Sequence, residues 1–226
     1  IDDTTTSIID TSMTTIIINE YDFNTAIDVD YGSIRIIRRP NDPGTITIGG
    51  GDGTTIISNY ILEQAEINQI EAGSIYIGDD ISTTEIGLLG CTFYGTMPSN
   101  IPASLYLESA GDIVDSSAGD TETDAIGVHY IKMITKNGSI GSGGFDDAGD
   151  IDLKQGVSSA DYGYIKLNAI AGTNNSNAEV INVEKIGTNG FISVQGTSTE
   201  SGIITNDYSS LYVNDSTSNI VDLPLV

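Results

Sequence analysis

Short segments in which apolar residues alternate with small, polar or aromatic residues recur along this chain of 226 residues. In the segment GSIYI, which begins at Gly73, Ile75 and Ile77 alternate with Ser74 and Tyr76. Successive side chains of a β-strand point to opposite faces, so this pattern predicts a short strand with its two isoleucines directed inward. We call these stretches Gly-x-Ile segments; the other strict copies are GSIRI at Gly32, GTITI at Gly44, GDIVD at Gly111, GSIGS at Gly138, GDIDL at Gly149, GYIKL at Gly163 and GFISV at Gly190.

The recurrence of the segment predicts the architecture. Two looser copies without the glycine, SLYL at Ser104 and SLYV at Ser210, extend the series. Strands this short bury little apolar surface alone and become stable when identical faces stack on one another. The pattern therefore predicts an all-β fold, a right-handed parallel β-helix of irregular coils. The alternative is an antiparallel β-sandwich, which explains glycine-rich turns but gives no reason for a recurring segment.

Glycine and proline positions agree with a stack of parallel strands. Asn-Gly pairs at Asn137-Gly138 and Asn189-Gly190 directly precede strand segments, which predicts a left-handed corner at each glycine. No proline occurs between Pro102 and Pro224, as expected if most of the strands donate ladder hydrogen bonds on both sides.

The ends of the chain differ from its middle. Residues 1–31 are rich in Thr and Asp and contain the apolar stretch TTIIINEYDF, which predicts an N-terminal capping or inter-subunit strand region. Residues 32–215 form the predicted β-helix body, and residues 216–226 form a C-terminal end segment with Pro224. Only residues 60–72 have helical composition, and a short helix or a strand fits them equally well.

The charge of the chain limits its partners. Eight basic and 32 acidic residues give a formal net charge of −24, which repels nucleic acid and anionic membrane surfaces. The longest aliphatic run, Ile16-Ile17-Ile18, is too short to span a membrane.

The single cysteine, Cys91, lies among apolar residues and is expected to be a buried thiol. Because the chain begins at Ile1 without a signal-peptide pattern, we expect a processed form or a fragment.

An acid-rich loop is the best candidate for a metal site. Carboxylates and turn carbonyls are the ligands that Ca²⁺ prefers, and no other cofactor is indicated. A solvated loop is the simpler interpretation. The candidate calcium ligands are Asp112, Asp115, Asp120, Glu122 and Asp124.

Catalytic candidates are weak. Glycoside hydrolysis needs two carboxylates a few ångströms apart, one of them with a raised pKa. The acid pairs Asp79-Asp80 and Asp146-Asp147 could meet that need, but acid pairs beside glycine are common in solvated turns. His129 is the only histidine, which restricts any histidine-based chemistry to this residue. We therefore expect no catalytic residues, with a polysaccharide-active enzyme as an alternative.

Tyrosines occupy equivalent positions in several segments. Tyr76, Tyr106 and Tyr212 each follow the first inward apolar residue, so stacking of the segments predicts part of an outward tyrosine ladder. Such a ladder stabilises a sheet by itself and is also suited to carbohydrate binding by aromatic stacking.

The stretches NGSIGSGGFDDAGDIDLKQG and IEAGSIYIGDDI resemble the repeats of filamentous-haemagglutinin-like exoproteins. The resemblance covers about residues 70–215 and rests on the Gly-Ser-Ile and Gly-Asp-Ile phrases. It implies a right-handed parallel β-helix in a secreted adhesive protein. The spacing here is irregular and the chain is short for that family, which fits a terminal fragment or a distant relative.

These observations together predict a non-catalytic structural or adhesive protein in the extracellular space or at the cell surface. A self-assembling extracellular filament subunit is the alternative within the same class. The expected partners are other copies of the chain, associating end to end or laterally, or cell-surface and carbohydrate ligands.

Overall fold

The computed structural model describes the parts of the chain from which the following account is built. These are residues 14–17, 27–28, 32–49, 60–91, 93, 104–116, 130–141, 151–154, 163–169, 180–186, 190–196, 200–205 and 209–213. Statements about side chains concern residues 32–49, 61–91, 93, 104–116, 130–141 and 151.

The described part of the chain is mostly β-strand, which confirms the all-β prediction. The largest sheet has eight strands in the order β1-β3-β7-β9-β11-β13-β15-β17, and all of its pairings are parallel. Its strands are β1 (Thr14–Ile17), β3 (Ser33–Ile37), β7 (Ser74–Asp79), β9 (Ser104–Ser109), β11 (Tyr130–Thr135), β13 (Gly163–Ala169), β15 (Gly190–Gly196) and β17 (Ser209–Val213).

Three smaller sheets are also parallel. They contain β2 (Ile27–Asp28) with β6 (Ile70–Glu71); β5 (Tyr60–Leu62), β4 (Gly44–Gly49), β8 (Thr83–Leu89) and β10 (Ile113–Asp115) in that order; and β12 (Ile151–Lys154), β14 (Val180–Ile186) and β16 (Glu200–Thr205). An isolated parallel bridge joins Ile113 to Ile140. No pairing among the described strands is antiparallel, so the sandwich alternative finds no support there.

Two rows of apolar residues run across β3, β7, β9 and β11 of the eight-stranded sheet. Each inward residue lies in register with the inward residue of the next strand, and all of them are at most 1% exposed. Fully burying an Ile or Leu side chain is worth about 1.5–3 kcal/mol, so these rows are a main source of stability. The first row is Ile34, Ile75, Leu105 and Ile131, and the second is Ile36, Ile77, Leu107 and Met133.

The four-stranded sheet supplies a matching inward row. Ile46 lies in register with Ile86, and Ile86 with Ile113, which also bridges to Ile140. All four are at most 1% exposed. The inward and outward assignment made for GSIYI is thereby confirmed, since Ile75 and Ile77 are each 1% exposed.

The irregular spacing of the Gly-x-Ile segments has a structural reason. The segment at Gly32 contains β3 of the eight-stranded sheet, and the segment at Gly44 begins β4 of the four-stranded sheet. The short sequence interval between these two segments therefore separates strands of different sheets, which do not pair with each other. Within the eight-stranded sheet, the register partners Ser33 and Ser74 are 41 residues apart, whereas Ser104 and Tyr130 are 26 apart. Loops of unequal length therefore separate strands that stack in register.

Residues 60–72 contain both elements that their composition left open. A short helix, α1 (Gln64–Ile67), lies between β5 and β6. Its first turn carries a capping box, in which the backbone N–H of Glu63 donates to Glu66 Oε2 over 2.7 Å. Ile67 is fully buried, which fixes the helix against the core.

The left-handed corner predicted at Gly138 is wrong. The described glycines with positive φ lie within or just after strands: Gly49, Gly78, Gly90 and Gly141. Gly138 is needed for a different reason, because a Cβ there would meet the Gly111 backbone and lie 2.6 Å from the Asp112 nitrogen. Close approach of successive passes of the chain, and not backbone handedness, explains this glycine.

The apolar stretch near the start of the chain joins the main sheet. β1 pairs in parallel with β3, in the register Thr14 to Ile34 and Ile16 to Ile36. In the part of the chain that the structure describes, no helix is long and apolar enough to cross a membrane.

Candidate functional site

The eight-stranded sheet differs in charge from the rest of the molecule. Its strands carry two of the 32 acidic residues, Asp79 and Glu108, and three of the eight basic residues, Arg35, Lys132 and Lys166. Three minus two gives these strands a formal charge of +1, against −24 for the whole chain. We call the outward surface of this sheet the tyrosine face. In the strands whose side chains are described, its central register row is Arg35, Tyr76, Tyr106 and Lys132. The same register continues along the backbone to Lys166, Ser193 and Tyr212.

Tyrosines form the centre of this face. The rings of Tyr76 and Tyr106 stack with centroids 4.3 Å apart and an interplanar angle of 8°. The ring of Tyr130 lies 5.5 Å from Tyr106 at a tilt of 49°. Burial, followed by the nearby Tyr106, raises the pKa of Tyr76, while Arg35 partly opposes the rise. The predicted neighbours Tyr76 and Tyr106 therefore do stack, whereas Tyr212 shares their row but adjoins Ser193.

This stacking affects what the ladder can bind. A sugar ring packs against the flat face of an aromatic side chain, and Tyr76 and Tyr106 turn one flat face toward each other. The tilted Tyr130 lies against Tyr106 of this pair. Neighbouring tyrosine rings thus cover much of the ring surface that a sugar would need. This favours a structural role for the ladder over carbohydrate binding.

An ion pair crosses the tyrosine face. Arg35 Nη2 lies 3.8 Å from Glu108 Oε2, and both side chains are 36% exposed. The pair connects β3 to β9 across the intervening β7. At this exposure it contributes at most about 1 kcal/mol to stability. Its larger consequence is that it neutralises the one outward acid of the described face.

A second polar cluster lies where β7 turns into β8. Asp79 is only 7% exposed, and its Oδ1 accepts hydrogen bonds from the backbone N–H groups of Ser82 at 2.6 Å, Ile81 at 3.1 Å and Thr83 at 3.2 Å. The Ser82 hydroxyl lies 2.8 Å from the same oxygen and 2.9 Å from the Arg38 carbonyl, so its single proton serves one of them at a time. Burial raises the pKa of Asp79, but the hydrogen bonds from Ser82, Ile81 and Thr83 outweigh it and lower the pKa below its usual value.

The equivalent turn between β3 and β4 uses a cation. Arg38 is 5% exposed, and its Nε donates to the Asp42 carbonyl at 3.0 Å while its Nη1 donates to the Thr45 carbonyl at 2.9 Å. A Cβ at Gly44 would lie 2.8 Å from the guanidinium carbon, so a larger residue there would displace the guanidinium. The three clustered arginines are thus separated by the fold: Arg35 lies on the tyrosine face, Arg38 is buried and Arg39 is exposed.

The predicted acid pair Asp79-Asp80 is divided between two environments. Asp79 accepts hydrogen bonds that hold it in its charged form, so it is poorly suited to act as a general acid. Asp80 pairs with Lys136, with Oδ2 and Nζ 2.8 Å apart and side chains 40% and 52% exposed. Asp146, Asp147 and His129 lie outside the described residues.

The predicted calcium ligands fall only partly within the described chain. Asp112 Oδ1 accepts a hydrogen bond of 2.7 Å from the backbone N–H of Ser139, which ties two successive passes of the chain together. Burial, with a smaller effect of the Asp112 charge, raises the pKa of the nearby Glu85. Asp115 ends β10, while Asp120, Glu122 and Asp124 lie outside the described residues.

Among the described residues, no three His, Cys, Asp or Glu side chains are grouped so that they could hold a metal ion. Calcium binding by the acid-rich loop stays a prediction. The expectation for the cysteine is confirmed, because Cys91 is 1% exposed and carries no disulfide.

We expect Asp79→Asn to destabilise the protein by about 2 kcal/mol at pH 7, since hydrogen bonds to a charged group are worth about 1.5–3 kcal/mol. A carboxylate with a lowered folded pKa stabilises above its unfolded pKa of about 3.9, and this contribution is lost as the pH falls through the folded value. The difference between wild type and variant should therefore shrink between pH 7 and pH 3, measured by urea unfolding.

Asp80→Asn is the matched control for this experiment. It neutralises the adjacent acid, which forms an exposed pair with Lys136, and should cost less than about 1 kcal/mol. If Asp79→Asn lowers the free energy of unfolding by the same amount at pH 7 and at pH 3, the role assigned to the buried charge is contradicted.

Sequence reasoning did not find two features of these sites. The hydrogen bonds of Arg38 depend on a turn that brings it next to the carbonyl of Thr45, seven residues later, and the arginine-rich composition of that stretch gives no sign of this contact. The acid-poor tyrosine face becomes visible only when the strands are aligned in register. The signal available beforehand was the absence of Asp and Glu from the segments GSIRI, GSIYI, GYIKL and GFISV, which belong to strands of this sheet.

Comparison of the chain with protein-family models, curated proteins and solved structures found no match. The functional assignment therefore depends on the physical features described above.

Proposed function

We propose that the chain is a segment of a right-handed parallel β-helix and that it serves a structural or adhesive role outside the cell. The observation that supports this most directly is the eight-stranded, wholly parallel sheet, in which two buried apolar rows run across β3, β7, β9 and β11. Parallel strands need crossover connections, and such connections are right-handed in nearly all proteins. The eight-stranded sheet would then be one side of the coil, and the four- and three-stranded sheets would be successive parts of a second side.

The succession of strands along the chain supports the coil. After β3 the chain enters β4 of the four-stranded sheet, and after β7 it enters β8 of that same sheet. β9 is followed in the same way by β10. These three passes of the chain each contribute a strand to the first sheet and then to the second, which is the order that a solenoid requires.

A solenoid of this kind provides extended surface and stiffness. Ladder hydrogen bonds link each pass to the next, and a continuous apolar interior resists bending. The charge of −24 keeps such a body soluble and away from anionic surfaces. These properties suit a secreted or surface-exposed protein that resembles filamentous-haemagglutinin-like adhesins. The acid pair Asp79-Asp80 is poorly suited to glycoside hydrolysis, because hydrogen bonds hold Asp79 in its charged form and Asp80 pairs with Lys136.

Labelling of intact source cells tests the location. We expect an antibody against the chain to stain unpermeabilised cells or their matrix, and external protease to remove that signal. Staining that appears only after permeabilisation would contradict the proposal. Turnover of neutral or acidic glycans by the purified chain, if lost in Asp80→Asn or Asp147→Asn, would instead support the enzyme alternative.

A further inference from the structure

We propose that the tyrosine face is the surface through which two copies of this chain pack against each other, sheet on sheet. This goes beyond the proposed function, because it follows from the chemistry of one sheet and holds wherever the protein acts. The charge, the composition and the size of the face each support a second copy as the occupant.

The distribution of charge favours self-association through the tyrosine face. The strands of the eight-stranded sheet carry +1, so the rest of the chain carries −25, the difference between −24 and +1. Two copies approaching through any acid-rich surface repel each other strongly. They repel least through the tyrosine face, where the described outward positions hold a single acid, Glu108, and that acid is paired with Arg35.

The composition is that of an interface core. Such cores are enriched in tyrosine and arginine and depleted of Asp and Glu. The described face presents the partly exposed Tyr76, Tyr106 and Tyr130, with the partly exposed Ile37 and Ile134 on neighbouring strands. The register aligns Tyr130 with Tyr164 and Phe191, which extends an aromatic row across β11, β13 and β15.

The face is large enough for a stable dimer. Eight strands spaced about 4.8 Å apart and five residues of about 3.3 Å each give a projected area of about 600 Å². Two copies would bury about 1,200 Å², the lower bound of specific protein interfaces. Sheets pack face to face, and a second copy supplies a parallel sheet with the same strand spacing.

A polyanion such as an acidic polysaccharide fits the face less well. Arg35 is already paired with Glu108, and that carboxylate would repel an anionic ligand. The overall charge of −24 adds long-range repulsion. The two occupants differ in salt dependence: salt screens repulsion between two acidic copies and so strengthens the dimer, whereas it weakens binding of a polyanion to Lys132.

Sedimentation equilibrium of the whole chain in low and high salt tests the proposal. We expect a monomer–dimer equilibrium that shifts toward dimer as salt rises. Tyr106→Asp places an acid in the centre of the face and should raise the dimer Kd at least about tenfold. The control Ala65→Asp adds the same charge on the exposed surface of α1 and should leave the dimer Kd unchanged.

The same set of measurements checks that each variant is folded and whether a second copy or a polyanion binds the tyrosine face. Lys132→Glu, which leaves the tyrosine stack intact, should also raise the dimer Kd, and thermal unfolding verifies that each variant is folded. A wild type that stays monomeric at every salt concentration, or equal effects of Tyr106→Asp and Ala65→Asp, would overturn the proposal. Binding of polygalacturonate that weakens with salt and is lost in Lys132→Glu, with the chain monomeric, would assign the face to a polyanion. Neither result would alter where intact-cell labelling finds the protein.

Discussion

Ile75→Asp is expected to abolish the folded state. Ile75 is 1% exposed and lies in register between Ile34 and Leu105, so its side chain has apolar neighbours on both adjacent strands. A carboxylate placed there loses its hydration without gaining a partner, which costs several kcal/mol. That cost is comparable to the total stability of a typical domain, about 5–15 kcal/mol. Circular dichroism and urea unfolding measure the outcome.

Two further variants make this result interpretable. Ile75→Ala removes the apolar contacts without adding charge and should cost about 2–5 kcal/mol, leaving a weakened but folded protein. Ser74→Asp adds the same charge one residue earlier, on the outward side of β7, and should cost less than about 1 kcal/mol. Cooperative unfolding of Ile75→Asp at the wild-type urea midpoint would contradict the buried apolar row.

Gly138→Ala should destabilise the protein by about 1–3 kcal/mol, the usual cost of overpacking. The added Cβ would meet the Gly111 backbone and lie 2.5 Å from Asp112 Oδ1. That oxygen accepts the hydrogen bond from Ser139, so the strain would reach the connection between two passes of the chain. The urea midpoint measures the loss.

A comparison of side chains distinguishes the two possible roles of Gly138. Asn tolerates left-handed backbone better than Ala does, so a backbone role would make Gly138→Asn the milder change. The steric role predicts that Asn is no better than Ala. The control Lys136→Ala, two residues earlier, removes only an exposed ion pair and should shift the midpoint little.

Local patterns were sufficient to predict the strands and their inward residues. Alternation in GSIYI assigns Ile75 and Ile77 to the core because the period of a strand is two, and this assignment needs no knowledge of neighbouring strands. The same reasoning fails at Gly138, whose importance comes from Gly111, 27 residues earlier. It is also insufficient for residues 60–72, where packing of Ile67 allows one helical turn between two short strands.

The amino-acid sequence by itself determined the strand content, the apolar side of each strand and the strongly acidic character of the chain, because these depend on residue type and on the local period. Only the tertiary structure decided that the strands pair in parallel, that Tyr76 stacks on Tyr106 and that Asp79 is held apart from Asp80. Those contacts join residues across loops of unequal length. Register fixes them, and register is set when the apolar rows of distant strands are buried together.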